Sequence, residues 1–243
     1  MGAHFRPLKW DRVLIDICTQ RDYLDAGGIL QVTNREKLLP VLKETFRWAR
    51  TEQLPMVSCV ESHRPTEPLS GFPLHSIDGT PGQEKVPFSL LQPSIVVETD
   101  NYLSLPPDLT TKYRQIIFRK RTRDILSNPK ADRFLTQLNA DVFILFGVGL
   151  EHAIKSLALG LLARHKSVAV ISDACGFWSL ADADLSLRQL SAKGVRLLTL
   201  EQLMAERPAP RPRVVAAARV VDRHNPAERP ATRSNTGTRA ARR

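Results

Sequence analysis

Residues 141–156 read DVFILFGVGLEHAIKS, and no other stretch constrains the fold as tightly. Val142 to Phe146 is an apolar run with the length and composition of a buried strand. Gly147 and Gly149 then permit a tight turn, through backbone angles or close approaches that a side chain forbids. From Glu151 to Ala163 apolar residues recur at helical spacing. A strand that feeds a helix through glycines is the working half of a βαβ unit. In open sheets built from such units, ligands sit beyond the carboxyl ends of the strands, beside helix N-termini.

The rest of the chain repeats this alternation. Apolar runs at 13–18, 56–60, 95–97, 115–119, 168–171 and 195–200 read as strands. Amphipathic stretches at 34–49, 129–138 and 180–192 read as helices, and 201–205 as at most a short turn. The pattern predicts an α/β fold: a three-layer, doubly wound, mostly parallel sheet of six main strands. Residues 1–12 are expected to be a leader, 13–206 the domain and 207–243 a basic, disordered tail.

Charge sharpens that division. The net charge is +10, but the tail alone holds ten arginines against Asp222 and Glu228, which leaves about +2 for everything before it. The basic character is therefore no argument that the domain binds nucleic acid. The tail itself is suited to an acidic partner, a nucleic acid or anionic lipid through unspecific charge attraction, or else to no specific function. No apolar stretch is long enough to span a bilayer, and Pro7, Lys9, Asp11 and Arg12 interrupt any signal-peptide core. Three cysteines, Cys18, Cys59 and Cys175, form no C-x-x-C pair. A reduced, cytoplasmic setting fits them best.

Several residues could carry chemistry. Asp16, Lys120 and the turn at 147–153 each fall at the carboxyl end of a predicted strand, where a doubly wound sheet gathers its ends into one crevice. An aspartate beside a lysine can activate a neighbouring nucleophile and shuttle its proton; it can equally be a plain ion pair. The segment between residues 61 and 93 is long for a loop and often such loops are functional. It supplies Glu61, His63 and His75, a set able to hold zinc, iron or manganese, although loop histidines are often only hydrogen-bonded. Gly79-Thr80-Pro81-Gly82 is a turn without the ending of a phosphate-binding loop, and Gly147-Val148-Gly149 lacks the third glycine of a dinucleotide fingerprint. Asp173 is expected to be structural.

Taken together, the segments VLIDICTQRDY at 13–23, ESHRP at 61–65, HSIDGTPG at 75–82, Lys120 followed by Asp124-Ile125-Leu126, the turn and helix at 147–158 and VISDACG at 170–176 resemble those of the isochorismatase-like hydrolases. That superfamily of cysteine hydrolases includes nicotinamidases and N-carbamoylsarcosine amidases. The resemblance runs from about residue 13 to 200. It implies that Asp16 is the catalytic acid and Lys120 the catalytic lysine. It also implies that Val148 and Gly149 flank a non-proline cis peptide in an oxyanion region, and that Glu61, His63 and His75 match a divalent-metal site. Assembly into homo-oligomers is implied as well.

One position departs from the family pattern. The turn GVGLEHAI places Ala153 where the resemblance puts the nucleophilic cysteine. A methyl group cannot form a thioester, and Asp16 with Lys120 then has no thiol to activate. Of the remaining cysteines, Cys18 is expected to point away from the crevice, Cys59 to lie within a strand and Cys175 to lack a base. The resulting expectation is an isochorismatase-like protein that has lost cysteine-hydrolase activity and keeps a ligand-binding, regulatory or structural role. The alternative is an active hydrolase of a small amide or isochorismate-like substrate, using Asp16, Lys120 and a metal-bound water.

Overall fold

The structure is a computed structural model that describes residues 9–67, 69, 71–99 and 104–206. The first eight residues and the tail from 207 lie outside the described residues, and so do the expectations that fall on them. Within them no helix is long and apolar enough to cross a membrane.

The apolar runs do become strands. β1 (Trp10–Ile17), β2 (Met56–Glu61), β3 (Ser94–Val97), β4 (Gln115–Lys120), β5 (Ala140–Val148), β6 (Val168–Gly176) and β7 (Arg196–Leu198) form one sheet in the order β3-β4-β2-β1-β5-β6-β7. Every pairing is parallel. Seven strands replace the expected six, because both short edge runs find a ladder. Val13 to Ile15 and Phe143 to Phe146 are wholly buried, as central strands covered on both faces must be.

β1 begins at Trp10 rather than at residue 13. Its polar start misleads the sequence reading: Arg12 donates to the carbonyls of Leu203 (3.4 Å) and Glu206 (3.0 Å), 191 and 194 residues further along the chain. The main helices are α1 (Arg21–Leu24), α2 (Arg35–Thr51), α3 (Leu109–Lys112), α4 (Pro129–Gln137), α5 (Lys155–Ala163), α6 (Leu180–Ala192) and α7 (Leu200–Ala205). α2 buries Leu38, Leu42, Phe46 and Ala49 along one stripe against β6. The turn expected at 201–205 is a helix, α7, held by a capping box between Thr199 and Gln202. Asp173 is structural as expected: its carboxylate accepts from the Leu200 N–H at 2.9 Å and ties α7 to a bulge in β6.

The chain steps outward from β1 to β2 and on to β3 at the edge, fills the gap between them with β4, then returns to β5 on the other side of β1. β1 and β5 are thus neighbours whose following segments leave in opposite directions. Such a switch point opens a crevice at the carboxyl ends of the strands. The two strands approach closely there. A Cβ on Gly147 would stand 2.2 Å from the Ile17 carbonyl oxygen, so only glycine fits.

Candidate functional site

The crevice holds a cavity of about 330 Å³ over the carboxyl ends of β1, β2 and β5. Cys18, Glu61, His63, His75, Val148, Gly149 and Ala153 are in its wall. Tyr23, Phe72, His152 and Trp178 surround it with rings, and Arg121 and Arg123 supply positive charge. The rings touch edge to face or at a tilt: Tyr23 meets His75 and Trp178 at centroid distances of 5.5 and 5.9 Å, and Phe72 meets His152 at 5.6 Å.

Glu61, the last residue of β2, is the hub. Its Oε1 accepts from Lys120 Nζ at 2.5 Å, and its Oε2 accepts from the Tyr23 hydroxyl at 2.5 Å. The same Oε2 lies 3.2 Å from His63 Nε2 and 3.1 Å from His75 Nε2. Burial alone would raise the Glu61 carboxyl. The Lys120 charge and the hydrogen bonds from His63, His75 and Lys120 outweigh it and hold the group well below the ordinary range. Burial would likewise lower Lys120; the neighbouring Cys18 and Glu61 instead raise it, so it remains an ammonium. Tyr23 is pushed well up by burial and by the Glu61 charge, and stays a donor.

The backbone of this corner is fastened by residues the sequence reading passed over. Gln20 both donates to the Glu61 carbonyl (2.9 Å) and accepts from the Glu61 N–H (2.7 Å). Asp22 accepts from the Ser76 N–H at 2.6 Å and so anchors the long loop that delivers His75. A Cβ on Gly82 would stand 2.2 Å from the Asp22 carboxylate, which gives the Gly79-Thr80-Pro81-Gly82 turn a packing reason. Gln20, Asp22 and Tyr23 do stand in the quoted 13–23 segment. Their partners are up to 63 residues away, and no periodicity marks such pairings.

The three ligand-type residues expected from sequence converge. One ligand atom from each of Glu61, His63 and His75 lies within 4.8 Å of the others, and all three residues are buried. The chemistry of the set fits a cation. His75 Nδ1 is 2.7 Å from the Pro73 carbonyl, which can only accept, so Nδ1 carries the proton. Were His75 neutral, it would turn a bare Nε2 lone pair towards the Glu61 carboxylate, two acceptors 3.1 Å apart. An imidazolium or a metal ion resolves that conflict, and an Nδ1–H held by a backbone carbonyl is the usual support of a metal-binding histidine. A divalent metal ion is therefore compatible with this corner.

Asp16 and Lys120 do not meet. Asp16 is fully buried; its Oδ2 accepts from Lys85 Nζ at 2.5 Å and from Ser58 Oγ at 2.8 Å. Lys85 also donates to Thr19 Oγ1 (2.6 Å), and Gln115 donates to Ser58 Oγ (2.8 Å). Neither Asp16 nor Lys85 lines the cavity. The expected pair is thus replaced by two: Lys120 with Glu61, Lys85 with Asp16. Lys85 comes from the middle of a loop with no sequence pattern to announce it.

The cis peptide implied for Val148–Gly149 is absent; among the described residues the one cis peptide is Gln92–Pro93. Gly149 makes the turn by another route, at φ 90°, where it has no Cβ penalty. A wide π-helical turn, Leu150–Ile154, follows and carries Ala153 to the cavity wall. Cys18 also departs from expectation. It leaves β1 at φ 51° and turns its side chain into the wall instead of away from it. His152, one residue before Ala153, was also missed; burial and the Arg123 charge lower it, which favours the neutral imidazole.

Comparison with solved structures returns the same architecture. The pyrazinamidase of Pyrococcus horikoshii in complex with zinc has 20% sequence identity and a TM-score of 0.61, over 78% of this chain and 99% of that one. An isochorismatase-like hydrolase from Alkaliphilus metalliredigens has 22% identity and a TM-score of 0.65, over 80% and 97%. PnC1 from L. infantum in complex with nicotinate has 18% identity and a TM-score of 0.61, over 81% and 98%. The comparison with curated proteins finds no match. At these identities the structures speak for the fold alone, but the isochorismatase domain model matches residues 13–202, nearly the whole described chain. With a parallel sheet, a switch-point cavity and that match, the chain belongs to the isochorismatase family.

Proposed function

We propose that this protein has given up cysteine-hydrolase chemistry and keeps its crevice as a binding site for a small planar ligand. The observation that carries the reading is Ala153 in the cavity wall, at the position where the family resemblance puts the nucleophile. The groups that would serve a thiol there are engaged elsewhere: Lys120 with Glu61, and Asp16 with Lys85 and Ser58. Cys18 shares the wall, but burial raises its thiol well above the ordinary range, which is the wrong direction for a standing nucleophile.

Tyr23, Phe72, His152 and Trp178 offer flat apolar faces, while Arg121 and Arg123 suit a ligand with an anionic or strongly polar edge. Glu61, His63 and His75 would hold a divalent ion, with zinc the natural fit to two imidazoles and a carboxylate. When bound, such an ion would supply Lewis-acid polarisation to a ligand carbonyl. In this reading Tyr23 and Lys120 fix the Glu61 carboxylate, and the Pro73 carbonyl fixes the His75 ring.

The test pairs turnover with binding. The purified full chain, with and without zinc, is offered nicotinamide, a carbamoylated amine and isochorismate. No hydrolysis is expected, together with saturable calorimetric binding of nicotinate or nicotinamide. Hydrolysis at ordinary enzyme rates overturns the reading.

The second reading, a metal-dependent hydrolase, is favoured by one observation: the Glu61–His63–His75 corner opens directly into the cavity. It predicts zinc-dependent hydrolysis that His75→Ala abolishes. Zinc binding without turnover decides for the first reading.

A further inference from the structure

Cys18 and Cys59 are neighbours across β1 and β2, and neither reading above uses them. The positive φ of Cys18 turns it out of the strand while its N–H still donates to the Cys59 carbonyl at 3.1 Å. The two sulfurs stand 3.9 Å apart. Cys18 lies in the cavity wall and Cys59 is fully buried behind it. Cys175, by contrast, spends its thiol on the Ile171 carbonyl at 3.1 Å.

We propose that Cys18 and Cys59 are an oxidisable dithiol, a modification site at the cavity wall that a small peroxide converts reversibly to an intrachain disulfide. A cavity of about 330 Å³ admits a molecule little larger than water. In the first step the Cys18 sulfur attacks the peroxide, slowly because burial keeps it a thiol; an S–O bond forms, the O–O bond breaks, and the departing hydroxide leaves as water with the Cys18 proton. The Cys59 sulfur then attacks the sulfenic sulfur. An S–S bond forms, the S–O bond breaks, and the second hydroxide leaves as water with the Cys59 proton. Two thiols lose two electrons and one hydrogen peroxide becomes two waters. Closure brings the sulfurs together by about 1.9 Å, to the usual ~2.05 Å, within reach of side-chain rotation. Because the second thiol is already adjacent, the sulfenic acid is captured before a further oxidation.

The test uses the full chain, metal-free, treated with hydrogen peroxide, then alkylated in denaturant and mapped by peptide mass spectrometry. The expected product joins the Cys18 and Cys59 peptides, lighter by two hydrogens than their sum, separable by dithiothreitol, with Cys175 fully alkylated. In Cys59→Ala, dimedone should label Cys18 about tenfold more than in the unsubstituted chain, since the resolving thiol is gone. The crosslink map of the unsubstituted chain decides even if that variant does not fold. Full alkylation of both cysteines after peroxide overturns the proposal. So does oxidation of Cys18 without a crosslink, or a disulfide between two molecules.

Discussion

Two buried lysine–carboxylate pairs occupy the carboxyl ends of the central strands, each closed at 2.5 Å, and they differ in what surrounds them. Asp16 and Lys85 are enclosed by Ser58, Thr19 and Gln115, away from the cavity. Glu61 stands in the cavity wall, with the buried Lys120 on one carboxylate oxygen and two imidazoles and a phenol at the other. A buried ion pair is weak grounds for stability in itself, because desolvation offsets much of the attraction. What it does is fix a geometry. The first pair fixes how the loop carrying Lys85 seats on β1; the second holds a carboxylate ready beside His63 and His75.

The largest effect separates the pairs by stability and binding at once. Asp16→Ala and Glu61→Ala each leave a buried ammonium without its partner, and each should cost about 3–5 kcal/mol. Urea unfolding reads both losses. Zinc affinity by calorimetry should survive in Asp16→Ala and vanish in Glu61→Ala; equal losses in both would erase the distinction between the pairs.

A somewhat smaller effect concerns zinc itself. At a concentration of about 100 times its Kd, an ion bound only to the folded state adds ~2.7 kcal/mol. A corresponding rise in Tm should appear in the unsubstituted protein and disappear in His75→Ala. An unchanged rise in His75→Ala would place the ion elsewhere.

Acid should weaken the Glu61–Lys120 pair in chelator-treated protein. The folded Glu61 carboxyl lies below its ordinary 4.5, so it favours the folded state fully above that value. The contribution is lost as pH falls from there through the folded value. The stability gap between the unsubstituted chain and Glu61→Gln should therefore be full at neutral pH and shrink below about 4.5. A gap independent of pH would mean that Glu61 does not act through its charge.

The smallest effect is expected at Ala153. Ala153→Cys adds one sulfur at a cavity wall, and its stability cost should stay below ~1 kcal/mol by urea unfolding. No nicotinamidase activity should appear, since Lys120 and Asp16 already have other partners. Recovered turnover would show that the two pairs rearrange to serve a thiol.

Much of the fold was legible because burial leaves a periodic mark. Runs such as residues 142–146 and 168–171, and the stripe of Leu38, Leu42, Phe46 and Ala49, follow from facing the core, so residue pattern alone marks the strands and helices. The metal-type set was legible by residue chemistry, since Glu61, His63 and His75 are the right types in one loop region. The turn was legible by its glycines, and Gly147 does stand where no Cβ fits. Less visible were residues whose role depends on a distant partner. Tyr23, Gln20 and Lys85 carry no period, and the direction of Cys18 depends on a single positive φ at a strand end.

The sequence by itself determined a parallel α/β sheet and a glycine turn at its switch point, because residue type and spacing are local properties. Only the tertiary structure decided which lysine each carboxylate takes. Asp16 went to Lys85 and Glu61 to Lys120, since a buried charge must be neutralised by whatever cation the folded loops bring within reach. The glycine turn therefore borders a cavity at the switch point, while the buried charges around it are already paired with one another.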